Sequence, residues 1–467
     1  MDSLDRLNGD IDKLFETGDF KMLDDYLNKT TLKDSIAQKL LDYQIVHVSK
    51  LLGCMGINNT IFDGSDTGTG KTYSAIALCA QLNKKPLVVC PKPVISTWLR
   101  VIEYFNIDYY GVVNYESFRN CKYYKKKDIK ELKNSDCPFI SQDKNNKYKW
   151  KVNNDCIIIF DEAHRCKNKK THNGNLLLSL KNSELSKIKK LILSATIADT
   201  IENFACFGYV LGFYDKMTKS KAWVQNILKK SKNTGVKCIY DEIYPKYGSR
   251  MLIHEISNFP KTSVISETYT SNKYIKLNKY RKNILELENN NNKDKLIKIT
   301  ELLQKMELIK IPIFIDLAKD MLANGFHIVV FFNYLSSIDK FIEDINLDEK
   351  YIKSIKGETT QQNRDKIVDK FRKDKLKIVV VSKKLQEGIS FHDIRGKHPR
   401  GSLISPNYSS QDLIQTLGRV NRAGSKTRSI QKIVFIANSF EESIAEKLSK
   451  KIKFNENING IDFKINL

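Results

Sequence analysis

Short, uniformly apolar runs recur along this chain, separated by polar stretches with helical periodicity. They are Asn59–Phe62, Pro86–Cys90, Cys156–Phe160 and Leu191–Leu193 in the first half, then Ile328–Phe332, Ile378–Val381 and Ile433–Ile436 in the second. Within each run the hydrophobicity is continuous rather than alternating, which is the signature of strands covered on both faces of a parallel sheet. The pattern predicts an α/β protein with two tandem parallel-sheet lobes, one over residues 36–212 and one over residues 296–467. Residues 1–35, with Leu4, Leu7, Ile11, Leu14 and Phe15, read as an amphipathic helical appendage. Residues 213–295 lose the rhythm, gain Lys, Tyr and Asn, and end in Asn289–Asn292, so they read as a basic linker or insertion between the lobes. Phe139–Val152 reads as a hairpin closed around Asp143–Asn146, whose Tyr148 and Trp150 serve either as a strand-separating pin or, the favoured reading, to pack against the lobe.

Composition narrows the class. A chain of 467 residues with 41% hydrophobic and 28% charged residues is an ordinary globular mixture, not a disulfide-knit or disordered one. The longest apolar runs fall short of a membrane span, and Met1–Arg6 lacks the order of a secretory signal, so a soluble intracellular protein with no membrane partner is expected. Nine cysteines occur singly, without a Cys-x-x-Cys pair, and read as buried reduced thiols. The formal charge of +24 attracts polyanions, which makes nucleic acid the leading partner. Lys-rich solvated surface is the other reading of the same excess, and it applies equally to Lys122–Lys127, where aromatics and cations interleave.

The strongest local signal is Ser65-Asp66-Thr67-Gly68-Thr69-Gly70-Lys71-Thr72, between an apolar run and a helical pattern. Gly68 and Gly70 let successive N–H groups curl around a polyphosphate, Lys71 supplies a cation, and Thr72 a hydroxyl for Mg²⁺. Ser65 stands where the general pattern has glycine. The most apolar run ends in Asp161-Glu162-Ala163-His164. Ligands of open α/β sheets bind at the carboxyl ends of strands, so Asp161 is placed to hold the metal and Glu162 to activate a water. An acidic helix cap is the alternative for either carboxylate.

In this order these motifs resemble those of superfamily 2 helicases and translocases, ATP-driven motors with two RecA-like lobes. Tyr43-Gln44 resembles the family's adenine-reading motif, Pro91–Trp98 and Asn114–Ser117 resemble its strand-gripping segments, and Ser194-Ala195-Thr196 its coupling motif. The wording of Asp161–Asn168, with Pro91–Trp98, is similar to the chromatin-remodelling-type branch and to helicases of large DNA viruses. In the second lobe, Gln415–Arg422 resembles the arginine motif; on a helix, Gln415, Arg419 and Arg422 would share one face. Gln386–Asp393 resembles the motif that touches both backbone and nucleotide, with Gly388 allowing close approach and Asp393 on the nucleotide side. Gly357, Arg364 and Phe371 stand in the order of another strand-contact segment, and His392–Pro406 reads either as a strand-contacting loop or as a surface excursion.

The resemblance implies ATP and Mg²⁺ as cofactors, with Lys71, Glu162, Arg419 and Arg422 catalytic and Thr72 and Asp161 on the metal. The nucleotide would rest on Gln44, the loop from Ser65 to Thr72, Gly388, Asp393 and Gln415, between lobes that close once per turnover. It further implies a DNA substrate in preference to RNA, a viral origin, viral transcription or replication proteins as partners, and residence in host cytoplasm or virion; an RNA helicase, or a non-catalytic nucleic-acid-binding subunit that retains the helicase fold, is the alternative.

Overall fold

The computed structural model describes residues 32–124, 134–195, 204–230, 239, 241–256, 259–270, 273–288, 295–383, 388–406, 409–437, 441–442 and 445. Most of the expected N-terminal appendage, much of Lys122–Lys127, Thr196, Gln386 and Glu387 lie outside them. The described residues separate into two compact units, the first ending at 256 and the second beginning at 259.

The first unit contains β1 (Thr60–Asp63), β2 (Lys85–Cys90), β3 (Gly111–Asn114), β4 (Lys122–Tyr124), β5 (Asn134–Asp136), β6 (Ile140–Gln142), β7 (Tyr148–Trp150), β8 (Cys156–Phe160), β9 (Lys189–Leu193) and β10 (Gly248–Ser249). Six of these form one sheet in the order β10-β1-β9-β8-β2-β3, and every neighbouring pair is parallel. The continuous apolar runs are explained by two cores, one on each face. In β8, Cys156, Ile158 and Phe160 enter one core while Ile157 and Ile159 enter the other. The helix Ile95–Phe105 shows how a crossover is specified: Ile95, Trp98, Val101, Ile102 and Phe105 fall on one face and are buried. Burying each such side chain stabilises by roughly 1.5–3 kcal/mol. The helix stops at Asn106, which takes the left-handed conformation at φ 55°.

The second unit contains β11 (Thr262–Tyr269), β12 (His327–Phe332), β13 (Ile352–Ile355), β14 (Ile378–Ser382), β15 (Arg400–Ile404) and β16 (Ser429–Ile436), again one all-parallel sheet, in the order β11-β16-β15-β12-β14-β13. Val329 and Phe331 of β12 face one core, and Ile328, Val330 and Phe332 face the other. Two tandem parallel α/β lobes are therefore the fold. The hairpin β6–β7 forms with Asp143 accepting the N–H groups of Asn145 and Lys147, and Tyr148 and Trp150 are buried in the first core.

Three expectations differ from the structure. The stretch 213–295 is not only a connector, because β10 adds to the first sheet and β11 to the second. β11 is a half-exposed edge strand, so it lacks a continuous apolar run, and β10 is too short to show one. The segment His392–Pro406 contains β15, an interior strand, so it is neither a wholly strand-contacting loop nor a surface excursion. Its start is masked in sequence by Arg400, a charged side chain only 1% exposed. The helix carrying Gln415 ends at Leu417, leaving Arg419 and Arg422 beyond it rather than on one helical face. Gly418 weakens helix continuation by about 1 kcal/mol, and the Arg419 carbonyl accepts the Phe391 N–H at 2.8 Å instead.

All eight described cysteines are free thiols, seven of them buried. Among the described residues no helix is long and apolar enough to cross a membrane.

Candidate functional site

The loop between β1 and the helix Lys71–Gln81 has the curled backbone its glycines permit: Gly68 takes φ 90° and Gly70 φ 95°. A Cβ at Gly70 would lie 2.2 Å from the Gln44 amide nitrogen, so a larger residue there would displace the Gln44 side chain as well as strain the backbone. The Lys71 ammonium points into the loop and donates to the carbonyls of Ser65 (2.7 Å) and Asp66 (3.1 Å). Thr69 folds its hydroxyl onto the Asp66 carbonyl, while Thr67 and Thr72 are partly exposed. The helix N-terminus behind this cradle adds unsatisfied N–H groups and a positive dipole end, the ingredients of a polyphosphate site.

Gln44 lies on the helix Asp42–Ile57 and is buried. Its amide donates to the Thr69 carbonyl at 2.9 Å while its oxygen accepts the Leu41 N–H at 3.0 Å, so the side chain braces the loop. Tyr43 donates to the same Thr69 carbonyl at 3.2 Å.

Beneath the loop lies a buried polar network that sequence reading missed. His47 Nε2 stands 3.1 Å from Asp63 Oδ2, and Ser65 donates its N–H to Asp63 Oδ1 at 2.9 Å. Burial pushes the Asp63 carboxyl up, but His47, Lys71 and the Ser65 hydroxyl outweigh it and hold it below the usual carboxylate range. The chain around β10 then runs along the loop: Gly64 donates to Ser249, Asp66 to Met251, and Ile253 to Asp66 Oδ2. The spacing of His47 from Gln44 on one helix was the only sequence signal of this network.

At the end of β8, Asp161 is buried and its carboxylate is fixed at both oxygens. Trp98 donates its indole N–H to Oδ2 at 2.8 Å, and the Glu162 N–H reaches Oδ1 at 3.0 Å. Burial and the Glu162 carboxylate push the Asp161 carboxyl well up, against the pull of Trp98 and Lys71. Each oxygen keeps a second lone pair. With the Thr72 hydroxyl, this is the hard oxygen donor set that suits Mg²⁺, an ion that takes most of its shell from phosphates and water. Glu162 adopts φ 51°, a left-handed conformation uncommon for a non-glycine residue. His164 Nδ1 lies 3.3 Å from Glu162 Oε2 and 3.2 Å from Ser194 Oγ, so it joins Asp161-Glu162-Ala163-His164 to the Ser194-Ala195 segment.

In the second unit Gln415 and Arg419 are buried, and Arg422 donates from Nε to the Gly418 carbonyl at 3.0 Å. Gly388 takes φ 73°, which accounts for glycine there. The Asp393 carboxylate accepts the N–H groups of Arg395 and Gly396 and the Thr427 hydroxyl. Its oxygens are thus taken up in closing a turn. Phe371 is core, and Arg364 donates to the Thr359 carbonyl.

A phosphate cradle after β1, an aspartate-glutamate pair at the same end of the sheet after β8 and a second parallel lobe define the class of P-loop nucleoside triphosphatases with tandem lobes. Comparison with known proteins narrows it. Residues 38–199 match the family described as type III restriction enzyme, res subunit, and residues 309–424 match the helicase conserved C-terminal domain. A protein of Acanthamoeba polyphaga mimivirus, provisionally named an ATP-dependent RNA helicase, is 33% identical over 471 aligned residues, covering 94% of this chain and 87% of that one. A Mus musculus chromodomain-helicase-DNA-binding protein 1-like is 28% identical over 176 residues, 34% of this chain and 18% of that one. Among solved structures, the Sulfolobus solfataricus SWI2/SNF2 ATPase core in complex with dsDNA is 16% identical with TM-score 0.35, covering 90% of this chain and 92% of that one. S. cerevisiae Dbp5 bound to RNA and ADP BeF3 is 12% identical with TM-score 0.49, covering 92% and 99%. The chain belongs to the superfamily 2 helicases and is an ATP-dependent enzyme of that family.

Proposed function

We propose that the chain hydrolyses ATP·Mg²⁺ to move along nucleic acid, with DNA as the preferred track. The observation that carries this reading is the joint placement of Lys71 in the phosphate loop after β1 and of Asp161 and Glu162 after β8, two strands along the same sheet, with Asp161 hydrogen-bonded to Trp98 of a segment that resembles a strand grip. Thr72 and Asp161 would hold Mg²⁺, which when bound neutralises phosphate charge. The loop from Ser65 through Asp66, Thr67, Gly68, Thr69 and Gly70 seats the phosphates, and Lys71 lies among them. Glu162 orients the attacking water and takes its proton, with His164 fixing its carboxylate. By resemblance to the family's motifs, Arg419 and Arg422 are assigned to transition-state charge stabilisation, and Gln415 and Gly388 to nucleotide contact. Gln44 keeps its family role beside the base while bracing the loop. Asp393 is left out of the nucleotide set because its carboxylate already closes a turn.

DNA is supported by the wording of Asp161–Asn168 and Pro91–Trp98 and by the match to the mouse DNA-binding helicase. The name of the mimivirus relative favours RNA, and is the one observation that supports the second reading. The same relative supports a viral origin, and a role in viral transcription or genome handling, in host cytoplasm or virion, is part of this proposal. The deciding experiment measures ATP hydrolysis by the whole chain alone and with duplex DNA, single-stranded DNA and RNA. Stimulation by DNA above RNA is expected. Greater stimulation by RNA would replace the track, and equal rates with and without nucleic acid would overturn the motor reading.

A further inference from the structure

The two segments that resemble strand grips both end on one residue. Pro91–Trp98 leaves β2 and enters the helix Ile95–Phe105, whose Trp98 is completely buried and donates its indole N–H to Asp161 Oδ2 at 2.8 Å. Asn114–Ser117 leaves β3, and its Tyr115, also completely buried, donates its hydroxyl to the Asp161 main-chain carbonyl at 2.7 Å. Asp161 is the residue just beyond β8, and its own N–H is held by the Val89 carbonyl of β2 at 2.9 Å. Its carboxylate, its carbonyl and its amide are therefore all held by groups on or directly beyond β2 and β3 or by its own neighbour Glu162.

Neither ring is needed at these positions merely to fill space. An indole N–H and a phenol hydroxyl are costly to bury without a partner, so a lobe that required only apolar volume would be served by Phe at both. Each polar atom instead meets Asp161. A carboxylate's orientation decides how well it holds a hard divalent cation, and partners that orient such a group commonly set metal affinity by 10–100-fold.

We infer that Trp98 and Tyr115 are positioning residues that set the Asp161 carboxylate according to the state of the two strand-gripping segments, so that nucleic-acid contact and Mg²⁺·nucleotide affinity are tied by two hydrogen bonds. This rests on the function proposed above. A shift of either segment on its strand changes the direction or length of a bond to Asp161. By linkage, the metal-bound nucleotide in turn favours one arrangement of the segments.

The test uses the whole chain in a Glu162→Gln background, which permits binding without turnover. A fluorescent ATP analogue is titrated with Mg²⁺ in the absence and presence of duplex DNA, and separately of single-stranded RNA. The half-saturating Mg²⁺ concentration should fall when the nucleic acid is added. Trp98→Phe should raise that concentration roughly tenfold or more, with the plateau recovered at high Mg²⁺, and should abolish the shift caused by nucleic acid. Tyr115→Phe, nearly isosteric, should diminish the shift with little loss of folded protein, and keeps the inference testable if Trp98→Phe folds poorly. A purely structural role would lower the amplitude of binding without moving the Mg²⁺ midpoint. If both variants keep the parent midpoint and the parent shift, or if the parent shows no shift with either nucleic acid, the inference fails. The hydrolysis assay on the unaltered chain decides the motor reading separately, since stimulation there can persist while this coupling is absent.

Discussion

The two units repeat one architecture and spend their buried charges differently. Both have six parallel strands with an apolar core on each face. In the first, Asp63, Ser65, Asp66, Lys71 and Asp161 gather where β1 and β8 end, the side of a parallel sheet on which ligands bind. In the second, a prominent charged group forms where strands begin. Arg400, the first residue of β15, donates to Asp374 at 2.8 Å and lies 3.7 Å from Asp393, and His327, the first residue of β12, stacks on His398 with ring centres 4.2 Å apart. The second unit also buries Lys310 against Glu441 and Ser405 beyond β15 and Glu307 against Asn333 beyond β12, so what sets the first unit apart is the phosphate loop beside its carboxyl-end charges, while Arg400 holds strand starts together.

The sharpest way to break that contrast is to remove charge from each kind of place and ask whether activity or stability suffers. Glu162→Gln should lower ATP turnover by about 10²–10⁴-fold while leaving thermal unfolding unchanged. A matching loss of folded protein would show that the first-unit carboxylates are scaffold too. Arg400→Met should do the reverse. It strands Asp374 and Asp393 without their buried partner, a change that typically costs about 3–5 kcal/mol. Hydrogen exchange of β15 and β12 should report that loss, with turnover per folded molecule retained. If exchange is unaltered, the guanidinium is not holding the strand starts.

The same contrast explains what could be read from the residues alone. The phosphate loop and the Asp161-Glu162 pair were legible because backbone curvature and metal chemistry restrict which residues can stand there. The interior strands were legible because double-faced burial forces uninterrupted apolar runs such as Ile157-Ile158-Ile159. β15 was hidden because its first residue is an arginine neutralised by neighbours distant in sequence, and β11 because an edge strand leaves one side polar. The bonds of Trp98 and Tyr115 to Asp161, and of His47 to Asp63, depend on which strand ends the topology places side by side, and no local pattern encodes that.

Acid should also separate the units. Burial, with Arg400 and His398, holds His327 down to about 4, and burial with Arg372, Arg422 and Arg400 holds His392 down to about 3. A histidine kept neutral in the folded state contributes stability that is complete above its unfolded value near 6.5 and is lost as pH falls toward the folded value. Between those limits the second unit should open progressively, visible as faster exchange in β12. His327→Phe, which keeps a ring against His398 and Phe371, should reduce the response to the part left by His392. An unchanged acid profile in that variant would remove His327 from the explanation.

In the first unit Asp66 should contribute an effect of opposite sign. Burial pushes this carboxyl up to about 6, offset only in part by the Ile253 N–H and by Lys71. A carboxyl raised in the folded state destabilises the fold once pH exceeds its unfolded value near 3.8, and the cost is complete above about 6. Asp66→Asn keeps an acceptor for Ile253 and removes the charge. It should therefore stabilise the first unit at pH 8 by roughly 1–3 kcal/mol and have little effect at pH 4, measured as exchange protection of β1 and β10 at the two pH values. Equal stabilisation at both would mean that packing, not ionisation, sets the strain. Loss of stability at pH 8 would mean that the Asp66 charge is compensated by Lys71 and the Ile253 N–H more fully than its burial suggests.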